Sequence, residues 1–440
     1  MVTLVYGLGE SGISATRAVL RNDEAVRVAD AGDDERLQRT RRELGVEGVL
    51  GAGPEVLNGA DRIVVSPGIR PGDPVLRAAE ERGIPVVSEV GLGLEMLGGS
   101  GVRVAAVTGT NGKTTVVDML RRMLDGVPHA VAGNSWRALT GCLDEVREAG
   151  LLLLEVSSFQ LHYLEEPGFE VAALLNARPD HLNWHASFEE YARDKLRVFE
   201  GQGPEDLALV SARDPVGLGA ADGLAAEVLV VGDEDTAVRG GRLSLRGREI
   251  AAEAELRFAG AHNLENALFA GAAAERLGVS FESIRAGILG YRLKPHRLEV
   301  IAERAGVLYV DDSKATNPAA VAAALRSFEE PVVLILGGSE KETDFAEVLP
   351  HLERCRALVC QGEAGPGIFD YLRTAGCGEA CRLVTDLREA VAEAASLARE
   401  GDVVLLSPGC ASFDQFAGYA ERGEEFARLV GELAESRARR

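Results

Sequence analysis

Apolar residues come in short blocks along the chain, each running into a polar turn and then a stretch with helical spacing. Val2-Thr3-Leu4-Val5-Tyr6 reads as a buried strand. It enters the glycine loop Gly7-Leu8-Gly9-Glu10-Ser11-Gly12 and then a helix to about Leu20. Val26 to Asp30 and Arg62 to Val65 follow as strands, the second running into Ser66-Pro67-Gly68. Strands alternating with helices imply a parallel sheet. A glycine-rich linker over Gly91 to Gly101 marks the start of a second unit. Its strands are expected at Val102 to Val107, Leu151 to Leu154 and Val171 to Leu175, with helical patterns at about 188–199 and 263–277. A third unit begins near Lys294-Pro295. Its strands are expected at Val307 to Val310, Val332 to Leu336, Ala357 to Val359 and Val403 to Leu406, and an amphipathic helix runs from about Glu421. The reading is three α/β domains in a row: 1–91, 92–293 and 294–440.

Chemistry gathers where those strands end. Thr108-Gly109-Thr110-Asn111-Gly112-Lys113-Thr114-Thr115 follows a strand and opens a helix. In that setting Gly109, Thr110, Asn111, Gly112, Thr114 and Thr115 can cradle phosphates, Lys113 can reach the β/γ oxygens, and Thr114 can hold Mg²⁺. Glu155, at the end of the next buried strand, is placed to bind Mg²⁺. Asn176-Ala177-Arg178-Pro179-Asp180-His181 ends the following one, and His181 is a candidate metal ligand. His181 and His185 are four apart, but no Glu follows His181, so a zinc protease is rejected. Asn263 and Asn266 share one helix face and suit an adenine edge, and Arg297 is a further nucleotide contact. In the third unit three strand-end loops carry Asp312-Ser313-Lys314-Ala315-Thr316-Asn317, Ser339-Glu340-Lys341 and Ser407-Pro408-Gly409-Cys410-Ala411-Ser412-Phe413. They read as a cationic pocket for a carboxylate.

Composition sharpens this picture. The 47 basic residues include only five lysines: Lys113, Lys195, Lys294, Lys314 and Lys341. In an arginine-rich chain the lysines mark positions for a compact point charge or a reactive amine. Lys294 fits chance survival in a linker; the other four sit in motifs. Lys195, flanked by Arg193 and Arg197, is a candidate for carbamylation by CO₂, which would make it an anionic metal ligand. The net charge of -22 argues against nucleic acid or anionic lipid as partners. Apolar runs too short to span a bilayer, no leader-like N-terminus and no paired Cys-x-x-Cys spacing lead to the expectation of a cytoplasmic protein with free thiols.

Together these motifs resemble the Mur ligase family over essentially the whole chain. The short loop Gly109-Thr110-Asn111-Gly112-Lys113-Thr114-Thr115 is similar to that family's and to that of folylpolyglutamate synthetases. Asp312 to Asn317 and Ser407 to Phe416 resemble the D-glutamate-adding branch. The resemblance implies a Rossmann-like nucleotide-sugar domain, a central phosphate-loop ATPase domain with a mostly parallel sheet, and a C-terminal Rossmann-like domain. It implies ATP-dependent joining of D-glutamate to UDP-N-acetylmuramoyl-L-alanine through an acyl phosphate, in peptidoglycan precursor synthesis, by a monomer.

It also implies residue roles. Lys113 and Thr114 bind ATP and Mg²⁺, while Glu155, His181 and carbamylated Lys195 hold a second Mg²⁺. Asn263, Asn266, Arg297 and Asp312 contact adenosine. Ser11, Asp30, Gly68, Asn134, Ser157 and Gln160 contact the UDP-sugar. Lys314, Thr316, Lys341, Ser412, Phe413 and Tyr419 surround D-glutamate. Two departures stand out: Gly133-Asn134-Ser135-Trp136 replaces a Gly-Asn-Ile-Gly pattern, and Glu10 sits beside the expected diphosphate site. A nicotinamide dehydrogenase, suggested by Gly7-x-Gly-x-x-Gly12 alone, would leave the phosphate loop and the lysines unexplained. A non-catalytic nucleotide-binding regulator is the other alternative.

Overall fold

The computed structural model describes residues 1–438 apart from 183, 259, 293–294, 329 and 340–344, with the side chains of 434–438 left out. Lys294 and Lys341 therefore lie outside the described residues. The chain divides into two compact units, Met1–Glu255 with Glu265–Gly290, and Leu256–Leu264 with Tyr291–Arg440.

The first unit contains two parallel sheets and a small antiparallel one. The N-terminal sheet has five strands in the order Gly48–Leu50, Ala25–Asp30, Val2–Tyr6, Arg62–Val65, Val86–Ser88. Leu4, Val5, Ile63 and Val64 fill its two faces. The second sheet has six strands: Glu227–Val231, Leu207–Ser211, Val171–Leu174, Arg103–Thr108, Leu151–Glu155 and Ala130–Gly133. Every printed pairing in it is parallel. Its strands are buried on both faces, which is why they read as unbroken apolar runs rather than alternating ones. Three short antiparallel strands, Ala237–Arg239, Arg242–Leu245 and Arg248–Ala252, form the small sheet that the hydrophobic pattern did not reveal.

One boundary expectation fails. Gly91 to Gly101 is not mostly linker: Glu89–Leu97 is a helix, capped by the Ser88 hydroxyl on the Gly91 amide. The glycines there allow close packing. A Cβ on Gly93 would lie 2.6 Å from Leu139 Cγ.

The second unit is built on a six-stranded sheet in the order Glu299–Arg304, Val307–Asp311, Val403–Leu406, Val332–Gly337, Cys355–Gln361, Cys381–Leu383. Its edge strand Glu299–Arg304 runs antiparallel to the rest. That strand alternates exposed and half-buried positions and escaped the search for apolar blocks. The final helix is Tyr419–Ala438, starting two residues earlier than its amphipathic pattern indicated.

Candidate active site

In the central sheet, parallel register brings three strand ends to one level. Val107 pairs with Glu155, Gly133 pairs with Glu155 from the other side, and Thr108 pairs with Leu174. Ligands bind beyond such ends because loops and helix N-termini converge there. The loop after Thr108 leads into the helix Lys113–Met123. Gly112 closes it at φ +91°, where a Cβ would lie 2.5 Å from Asn266 Oδ1. A side chain there would be strained twice, by the left-handed backbone and by Asn266. The loop is tied to the neighbouring strand end: the Thr110 amide donates to the Asn176 carbonyl at 2.8 Å, and the Asn111 amide to Asn176 Oδ1 at 2.9 Å. The Thr110 and Tyr191 hydroxyls are 2.9 Å apart. Lys113 Nζ donates to the Gly109 and Thr110 carbonyls at 2.7 and 3.1 Å.

Glu155 is fully buried and takes four donors. Thr114 Oγ1 (3.3 Å), Asn134 Nδ2 (2.9 Å) and Ser135 Oγ (2.8 Å) donate to Oε1, and Trp136 Nε1 donates to Oε2 at 2.9 Å. The tetrapeptide that departs from the expected pattern thus supplies three of Glu155's partners. Gly133 is forced by this close approach, since a Cβ on it would lie 2.0 Å from the Glu155 carbonyl oxygen. A hydroxyl and a carboxylate oxygen side by side at the mouth of a phosphate loop are the hard donors a Mg²⁺ ion takes.

Lys195, on the helix Phe188–Leu196, is 2% exposed. Its ammonium lies over the Tyr191 ring at 4.6 Å. Burial, and then the nearby Lys113 charge, push its pKa well below that of an ordinary lysine. The neutral amine this favours is the form that adds CO₂, so the residue fits a carbamate. Next to it Asp194 is buried between two histidines. His162 Nδ1 is 2.8 Å and His185 Nδ1 3.2 Å from Asp194 Oδ2, and His185 Nε2 is 3.0 Å from the Ser158 hydroxyl. Burial alone would raise the Asp194 pKa, but the two histidines hold it below the usual range. This brace was missed in the sequence because its members lie 9 to 32 residues apart. Only the clustering of histidines was a visible signal.

His181 takes a positive φ of 55°, packs edge-on against Phe159 at 4.8 Å, and has Nε2 3.6 Å from Asp180. Among the described residues, no third His, Cys or carboxylate joins it and Glu155 within 4.8 Å. The ligand-type triads that do form are His162–Glu190–Asp194 and His296–Glu299–Asp311.

A cleft of about 280 Å³ beside this centre is lined by Ser11, Gly68, Asn134, Trp136, Phe159 and Gln160, with Glu10 at its wall. Of the residues expected to hold a nucleotide sugar, Ser11, Gly68, Asn134 and Gln160 are thus brought together. Asp30 and Ser157 do not line this cleft. Asp30 accepts from the Leu8 and Gly32 amides at 2.7 and 2.9 Å and braces the glycine loop. Ser157 forms a reciprocal cap with Gln160 on the helix Ser158–His162. Asn263 and Asn266 are both buried in the helix Ala261–Arg276, so Asn263 is its third residue rather than its cap.

In the second unit, three strand-end loops are stitched together by the Gly337, Ser339 and Gly409 amides on the Pro408, Ala411 and Ala315 carbonyls. Lys314 Nζ donates to the Tyr419 hydroxyl at 3.1 Å. Ser412 is buried, Thr316 half-buried and Phe413 exposed. Asp312 accepts from the Ser407 hydroxyl and the Leu298 amide. Burial lifts its pKa to about 7 against the opposing pull of Ser407 and of the Arg297 charge. Arg422 is the residue sequence reasoning overlooked: a fully buried arginine at the start of the last helix. It donates to Ser313 Oγ and to the Ser313, Cys410 and Ala411 carbonyls at 2.7 to 3.1 Å.

The fold and these strand-end sites define a ligase with a phosphate-loop centre, and the chain belongs to the Mur ligase family. The descriptions "Mur ligase MurD-like, N-terminal domain", "Mur ligase middle domain" and "Mur ligase, glutamate ligase domain" match residues 1–88, 107–274 and 296–410. The chain is 71% identical to the UDP-N-acetylmuramoylalanine–D-glutamate ligase of Rubrobacter xylanophilus over 98% of both chains. It is 38% identical to the enzyme of that name from Pelotomaculum thermopropionicum, over 97% of this chain and 96% of the relative. Among solved structures, MurF from Acinetobacter baumannii shares the fold with a TM-score of 0.63 at 18% identity, covering 94% of this chain and 98% of that one. Among the described residues no helix is long and apolar enough to cross a membrane.

Proposed function

We propose that the chain joins D-glutamate to UDP-N-acetylmuramoyl-L-alanine with hydrolysis of ATP to ADP and phosphate, in peptidoglycan precursor synthesis. The observation that carries this is the phosphate loop set against Glu155 beside a polar cleft, in a chain 71% identical to a D-glutamate-adding ligase. The substrate carboxylate attacks the γ-phosphorus and ADP leaves. The D-glutamate amine then attacks the acyl carbon and phosphate leaves.

In this reading residues 109–115 hold the ATP phosphates through loop amides and the helix N-terminus, with the Lys113 charge on the β/γ oxygens. Asn263, Asn266, Arg297 and Asp312 take adenosine. Ser11, Gly68, Asn134 and Gln160 take the nucleotide sugar, with Asp30 and Ser157 bracing their loops. Lys314, Thr316, Lys341, Ser412, Phe413 and Tyr419 take D-glutamate. Thr114 would hold one Mg²⁺ with the nucleotide, and Glu155, His181 and carbamylated Lys195 a second. The 3.3 Å between Thr114 and Glu155 supports neighbouring ion positions. Bound there, the ions supply neutralisation of the charge that gathers on the transferring phosphoryl group. The domain limits 1–91, 92–293 and 294–440, a monomeric state and a cytoplasmic location belong to the same proposal, and the acidic surface supports exclusion of nucleic acid and anionic membranes.

The test is phosphate release from Mg·ATP with UDP-N-acetylmuramoyl-L-alanine and, in turn, D-glutamate, L-glutamate, L-alanine or no amino acid. Release that requires D-glutamate is expected. Release with another acceptor reassigns the C-terminal pocket, and no release in protein that binds ATP overturns the ligase reading.

A further inference from the structure

Glu155 is fully buried, yet Asn134 and Ser135, which lie over it, are exposed. They form the cover that hides it. Ser135 Oγ is 2.8 Å from Glu155 Oε1 and 3.4 Å from Thr114 Oγ1, so it occupies the notch between the two oxygens best suited to an ion. Trp136 approaches from the other side and bonds the other oxygen, Oε2, through its ring N–H. Both are fixed by Gly133, whose missing side chain lets this turn lie against the Glu155 backbone.

We propose that Ser135 and Trp136 are opposed positioning residues for divalent-metal binding at Glu155: Ser135 competes with the ion for Oε1, and Trp136 holds Oε2 so that Oε1 faces Thr114. This rests on the reading of Glu155 as a metal ligand. A carboxylate carries about four acceptor directions, so Oε2 can keep its indole donor while Oε1 turns to a cation. A hydroxyl proton on Oε1 and a cation on Oε1 point at the same lone pairs, so the Ser135 hydroxyl must turn away as metal enters. Hydrogen-bond donors behind a ligating group typically change metal affinity 10–100-fold when removed. Trp136 also lines the cleft with Ser11, Gly68 and Gln160, so it touches the sugar-nucleotide cleft and the carboxylate at once.

The experiment uses the full chain with Mn²⁺ as probe and a non-hydrolysable ATP analogue, free Mn²⁺ being read by electron paramagnetic resonance. Wild type is compared with Glu155→Gln, Trp136→Phe and Ser135→Ala. Phe keeps the ring and removes only the N–H donor. Trp136→Phe is expected to weaken Mn²⁺ binding about tenfold, and Ser135→Ala to tighten it several-fold. If Glu155→Gln weakens Mn²⁺ binding while Trp136→Phe and Ser135→Ala both stay within twofold, or move together, the proposal is overturned and the metal reading stands. If Glu155→Gln itself leaves binding unchanged, the metal reading is what fails. Should Trp136→Phe melt early, Ser135→Ala alone decides, because weaker or equal binding in it contradicts competition. A second readout needs no turnover. The chain has two tryptophans, so in Trp184→Phe the emission comes from Trp136 and should shift on adding Mg²⁺ with the analogue. An unchanged spectrum under saturating Mg²⁺ counts against the Trp136 arm.

Discussion

Replacing Arg422 by methionine probes how the three loops of the C-terminal unit are held. The guanidinium is fully buried and gives four hydrogen bonds, two of them to the Ser313 and Cys410 carbonyls. The Ala411 carbonyl keeps the Ser339 amide as a donor at 2.9 Å, and the Ser313 hydroxyl keeps its bond to the Tyr419 carbonyl. Methionine fills the space but leaves the Ser313 and Cys410 carbonyls short of a donor, at about 1–3 kcal/mol each. Removing the buried charge offsets part of this, because burial already disfavours the ion and pulls the Arg422 pKa down to about 10. The expected net loss is about 3–5 kcal/mol, the range for breaking one side of a buried charged network. Native-state hydrogen exchange on the full chain reads it best, since two units need not unfold together. The amides of Val333, Ile335 and Leu405, in the central strands of that sheet, should lose this much protection, while those of the first unit keep theirs. Loosened loops should also raise KM for D-glutamate more than they lower kcat. A loss under about 1 kcal/mol would refute the reasoning and make Arg422 a passenger.

Further outcomes follow from other sites. Gly112→Ala should weaken ATP binding at least tenfold in a folded protein, because its Cβ meets Asn266 and its backbone is left-handed; fluorescent-nucleotide titration checks it. Lys195 should carry a carbamate, seen as a ¹³C signal after incubation with labelled bicarbonate and lost in acid. Lys195→Arg, which keeps the charge but cannot form the adduct, should abolish phosphate release. Asp312 has a folded pKa raised to about 7, so its protonated form favours the fold. Stability of the second unit should be greatest below the unfolded carboxylate pKa and fall as pH rises from about 4 to about 7. Asp312→Asn should flatten that slope in exchange experiments, after allowance for Asp311, which burial also shifts upward. Asp194→Asn should unseat His162 and His185 and lower kcat through the neighbouring Lys195, with ATP affinity retained.

What the sequence determined by itself was everything whose cause is local. A buried parallel strand needs an unbroken apolar run, so the core strands of all three parallel sheets were legible. A phosphate loop needs glycines, a lysine and a hydroxyl between a strand and a helix, so residues 109–115 were legible, as was Glu155 at the next strand end. Scarcity of lysine singled out Lys195, and its burial and lowered pKa agree with a special role. Tertiary structure decided the rest, because it depends on partners far apart in the chain. Gly91 to Leu97 reads as a linker by composition but packs as a helix, since the glycines are needed to approach Leu139. Ser135 and Trp136 read as a departure from a pattern, yet they bond Glu155 from about twenty residues away. Asp194 and Arg422 read as ordinary helix-surface charges. Only the packing shows that both are buried, where desolvation makes each hydrogen bond to them count.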